Sequence, residues 1–231
     1  YVESGDLTLE SCVLDSNSVS SNGNGALIYA ETDSVSLWLI NTNATYNTGN
    51  EMIQFESNGQ LNLENVNIVE NTGNVINGNA QFNFNDVEIS NNDGYVINGN
   101  GNMIFSSINI GGNNGFGISG DGNLNFTNVT IDYNAGFGIN STGDKTFADV
   151  YINNNTGYGI NGDGDLDFTD VIIDNNTGYG INSVGDKSFN VVYINENSGY
   201  GINGDGIMDF STVLINDNGE YGITSSGDKT F

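Results

Sequence analysis

Carboxylates are the chemistry this sequence supplies in quantity: 29 Asp and Glu stand against 3 Lys, with no Arg and no His, a net charge of −26 over 231 residues. They gather at short turns. Gly-Asp-Gly occurs at 120–122, 162–164 and 204–206, and Asp121, Asp163, Asp165 and Asp205 offer the oxygen ligands that a hard cation such as calcium prefers. Asp163 and Asp165 also form a pair of the type that glycoside hydrolysis uses as acid and base. Such a pair needs surroundings that push its two pKa values apart, and a turn copied along the chain provides none. The expectation is therefore a protein that is not an enzyme, whose acidic turns keep it soluble, with calcium as the one cofactor the residues could hold.

Other chemistries are excluded by what is missing. All three cations are lysines (Lys145, Lys187, Lys229), so there is no basic patch for nucleic acid. Without imidazole, and with Cys12 as the single thiol, catalytic triads and Cys/His metal sites are ruled out. No apolar run reaches the length of a membrane-spanning helix, so membrane insertion is not expected of this segment.

The elements that position the turns follow from a repeat. Ile76, Ile97, Ile118, Ile139, Ile160, Ile181, Ile202 and Ile223 recur every 21 residues without an insertion, and the phenylalanines from Phe84 to Phe231 keep the same spacing. Asn71, Asn92, Asn113, Asn134, Asn155, Asn176, Asn197 and Asn218 form a third column. Two looser coils precede these, marked by Ile28 and Ile53, so 1–70 reads as irregular coils and 71–231 as regular ones within a single domain. Inside one repeat the apolar residues alternate in bursts: Leu166 and Phe168, Val171 and Ile173, Tyr179 and Ile181. Period two marks a strand with one buried face, and the Asn, Gly and Asp between bursts tolerate positive φ.

Such short strands bury their faces only by stacking on the next repeat. The sequence therefore predicts an all-β fold: a parallel β-solenoid of about ten coils of 21–25 residues, with three short strands per coil. At roughly 4.8 Å per coil the rod is about 50 Å long. The Asn column is expected to be structural, its stacked amides satisfying turn backbone that faces inward.

These columns resemble the right-handed parallel β-helix proteins of the pectin-lyase-like group, which carry Asn ladders in a tight turn between strands. The block NNTGYGI at 154–160 and 175–181 is loosely similar to the repeats of polymorphic outer membrane proteins and autotransporter adhesin stalks. The resemblance implies an extracellular, cell-surface location and a long structural rod.

A second period of 42 residues lies on the first. Gly-Asp-Gly coils alternate with Gly-Asp-Lys coils at 143–145, 185–187 and 227–229, which puts Lys145, Lys187 and Lys229 in a column filled elsewhere by Phe82, Met103, Leu124, Leu166 and Met208. A lysine there should lay its stem on apolar surface and carry its ammonium to an Asp such as Asp163 or Asp144. Strand parity also picks out two outward columns. Tyr151, Ile172, Tyr193 and Leu214 form an exposed apolar stripe suited to association. Gly117, Gly138, Gly159, Gly180, Gly201 and Gly222 are expected to form a bare surface open to close approach.

The functional expectation is a non-enzymatic segment of a cell-surface adhesin stalk or of a self-assembling surface filament. Its partners would be copies of itself or neighbouring subunits, and host or surface glycans. The alternative is a carbohydrate-binding or carbohydrate-cleaving β-helix, like tailspikes and pectate lyases.

Overall fold

The alternating bursts do form strands that pair in parallel with their copies one coil away. The computed structural model describes residues 5–19, 26–30, 35–56 and 58–231, and among these there is no helix. The chain winds as a parallel β-solenoid of about nine turns. One sheet has twelve strands and the other ten, and every pairing is parallel. Register follows the repeat: Phe147 lies opposite Phe168, Val150 opposite Val171 and Ile160 opposite Ile181. The looser coils join on the same columns, Ile28 opposite Ile53 and Ile53 opposite Ile76.

All three apolar bursts are present in each regular coil, but the first two share one strand. In Leu166–Asp174 the chain bends at Asp170, which holds a left-handed φ of 56°, and the ladder resumes on the far side of the bend. The same corner recurs at Asp149 and Asn128, residue types whose short polar side chains tolerate that region. Val191 and Thr212 depart from this, β-branched residues at φ 56° and 58°. Val191→Asn should therefore raise stability by about 1 kcal/mol, which a denaturant midpoint would register.

The core consists of columns. Phe105, Phe126, Phe147, Phe168 and Phe189 are buried and stack with ring centroids 4.8–5.1 Å apart. Buried aliphatic columns line the other two walls, for example Val150, Val171 and Val192, or Ile160, Ile181 and Ile202.

The glycine column reverses the expectation. Gly117, Gly138, Gly159, Gly180 and Gly201 are buried, facing inward. A Cβ on Gly159 would stand 2.6 Å from Ile173 Cγ2 and 3.1 Å from Asn176 Nδ2. Gly159 and Ile160 are consecutive inward residues, so strict alternation fails at this tight corner and the bare outward surface does not exist. The aromatic column beside it, from Tyr95 to Tyr200, is pushed to a half-buried position on the surface, where Tyr95 stacks on Phe116 and Tyr158 on Tyr179 at 5.0 and 4.8 Å, while Phe137–Tyr158 and Tyr179–Tyr200 are tilted by about 40°.

Candidate functional site

The buried Asn column is built from hydrogen bonds that leave nothing over. Asn176 Oδ1 accepts from both the backbone N–H and Nδ2 of Asn155, each at 3.0 Å, while Asn176 Nδ2 donates to the Ile152 carbonyl at 2.9 Å and to Asn197 Oδ1 at 3.0 Å. Asn71, Asn92, Asn113, Asn134 and Asn155 repeat this pattern, and Asn218 continues it half-buried. Asn47 and Asn17 extend the ladder into the irregular coils, with Asn17 Nδ2 donating to Asn47 Oδ1 and Asn47 Nδ2 to Asn71 Oδ1. Spacings of 30 and 24 residues hid them from a 21-residue register.

The acidic turns split into two columns. Asp121, Asp163 and Asp205 share one, exposed and two coils apart, with Thr142 and Val184 between them. Thr142 Oγ1 donates to Asp121 Oδ1, and Ser226 holds the Asp205 carboxyl below its ordinary pKa through hydrogen bonds from its hydroxyl and backbone N–H. Asp165 belongs to the other column, which is a second ladder: Asp165 N–H donates to Asp144 Oδ1, Asp186 N–H to Asp165 Oδ1 and Ile207 N–H to Asp186 Oδ1. Asn102 and Asn123 begin it. The four residues proposed as calcium ligands thus lie in two columns, and among the described residues no group of three or more Asp, Glu, His or Cys is arranged to hold a metal ion.

The lysines do point inward. Lys145 and Lys187 are 1% and 2% exposed. Their ammonium groups reach main-chain carbonyls rather than the carboxylates expected: Lys145 Nζ donates to Gly143 O at 2.6 Å and Asp163 O at 2.8 Å, and Lys187 Nζ to Gly185 O and Asp205 O. Turn carbonyls curl into the core within reach of the stem, whereas the Asp side chains turn out to solvent. Burial lowers the Lys145 pKa to about 8, against the pull of Asp144 and Asp163 in the other direction.

Two surfaces remain. Tyr151, Tyr193 and Leu214 are 46%, 39% and 49% exposed, with Ile172 half-buried between them, so the apolar stripe stands as parity predicts. On another face lies an open groove of about 810 Å³ that crosses five coils. One wall is an outward amide ladder in which Asn161, Asn182 and Asn203 each donate to the previous Asn Oδ1 at 2.7 Å, and the other carries Asp163 and Asp205. The recurrence of Asn140, Asn161, Asn182 and Asn203 at 21-residue spacing was the signal for this wall.

No protein-family model and no curated protein sequence matches the chain. Among solved structures it is similar to the receptor-binding protein of bacteriophage Det7, a podoviral tailspike in a myovirus, at 10% identity and a TM-score of 0.30, over 96% of this chain and 68% of that one.

Proposed function

We propose that this chain is a non-enzymatic structural rod, a segment of a cell-surface adhesin stalk or of a self-assembling extracellular filament. The observation that carries the reading is the unbroken Asn ladder. It ties every coil from Asn17 to Asn218 to the next through side-chain hydrogen bonds, buried except at the two end links, so length is gained without loosening the stack. A rod of this kind resists proteolysis, because backbone already paired in a ladder cannot enter a protease cleft without local unfolding. Negative-stain microscopy and limited proteolysis test it: straight particles with a protected core are expected, and rapid cleavage between coils of native material would overturn it.

Lateral association would use the stripe. Changing both Ile172 and Tyr193 to Ser should leave the thermal midpoint within about 2 °C, since surface substitutions move stability little, while reducing assembly measured by light scattering. A double variant that still assembles like the native chain removes this face.

The groove favours a second reading, binding of a neutral, extended glycan. Its amide wall presents donors and acceptors at each coil, roughly 4.8 Å apart. Affinity electrophoresis through neutral polysaccharides, with Asn161→Ala and Asn182→Ala as controls, would separate this from a purely structural role.

A further inference from the structure

The second ladder stacks like charges. Asp144, Asp165 and Asp186 occupy consecutive coils roughly 4.8 Å apart, and in-register carboxylates repel. The same column holds Asn in the two coils before them, Asn102 and Asn123. The change from Asn to Asp coincides with the first lysine: Asn102 precedes Met103 and Asn123 precedes Leu124, but Asp144 precedes Lys145. The three carboxylates, with Asp167 and Asp209, surround a hollow of about 370 Å³ to which Lys145 and Lys187 also belong.

Each ammonium is fixed between two turns. Lys145 bonds a carbonyl of its own turn and one of the next coil's turn, and Lys187 repeats the arrangement one period on. The carboxylates acting on Lys145 are Asp144 from its own coil and Asp163 from the next, while those on Lys187 are Asp186, Asp205 and Asp165. One buried cation is therefore held between turns of two coils, each of which carries carboxylates.

We propose that Lys145 and Lys187 are resident counter-ions, which neutralise the stacked Asp turns from inside the solenoid as a bound cation would from outside. This accounts for the 42-residue period, because a lysine in every coil would set ammonium groups side by side in the core while one in every second coil still bonds turns of both kinds of coil. It also removes the need for calcium at these turns.

The test is a double-mutant cycle on the whole chain. Asp186→Asn keeps the Oδ1 acceptor for the Ile207 N–H and removes only charge. In the native background it should lower the thermal midpoint slightly or leave it unchanged. In the Lys187→Met background, where the carboxylates are uncompensated, the same change should raise the midpoint and recover at least half of the loss. Calcium chloride at millimolar concentration should give no saturable shift in the native chain and a clear one in Lys187→Met. Equal effects of Asp186→Asn in both backgrounds would overturn the proposal and leave the lysine as a carbonyl donor only. Should Lys187→Met fail to fold, nitrogen NMR of the lysine amines in Asp186→Asn decides: Lys187 should titrate at lower pH than in the native chain, and an unchanged titration refutes the role.

Discussion

Replacing Asn176 with Ala is expected to lower the thermal midpoint by roughly 6–12 °C, at about 2–4 °C per kcal/mol for a chain of this size. The side chain lies at 0% exposure and serves three neighbours. Its loss takes the acceptor from both the backbone N–H and Nδ2 of Asn155 and removes the side-chain donor of the Ile152 carbonyl, which remains in the strand ladder. Stranded buried groups cost about 1–3 kcal/mol each, so two of them give about 3 kcal/mol or more. The outward amide ladder supplies the control. Asn182 donates to Asn161 Oδ1 at the rim of the groove, where water replaces the lost partner, and Asn182→Ala should move the midpoint by no more than about 2 °C. Equal shifts at Asn176 and Asn182 would mean that the buried ladder carries no special share of the stability.

How much of this could be read from the sequence depends on whether a residue obeys the repeat. The Phe and Ile columns were legible because identical side chains at 21-residue spacing must stack in a parallel coil. The buried Asn column was legible for the same reason. What escaped was local geometry. Period two fails where Gly159 and Ile160 both turn inward, so the glycine column was assigned to the wrong side. Asp165 looked like a ligand because composition does not reveal that its Oδ1 already accepts a backbone N–H. The inward path of the lysines was foreseeable from the column they share with Leu166, but their partners were not, since main-chain carbonyls are invisible to side-chain patterns.

The two buried lysines, of which Lys145 is shifted to about 8 and Lys187 in the same direction, and one tyrosine set opposing slopes for stability against pH. The Lys145 pKa is lowered to about 8, chiefly by burial, while in the unfolded chain it returns to 10.5. Between those values the unfolded chain binds a proton that the folded chain lacks, so stability rises with pH. At about 1.4 kcal/mol per unit, and discounted for the solvent beside the turn, the gain is roughly 2 kcal/mol. Tyr95 acts the other way. Burial, with Glu51 adding to it, raises its pKa from 10.0 to about 12, so above pH 10 the folded chain keeps a proton that the unfolded chain gives up, and stability falls. Denaturant midpoints measured from pH 7 to 12 should therefore climb above pH 8, peak near pH 10 and then decline. Lys145→Met should remove much of the climb and leave the decline in place. A native profile that is flat from pH 8 to 10 would place the Lys145 ammonium in water instead of in the core.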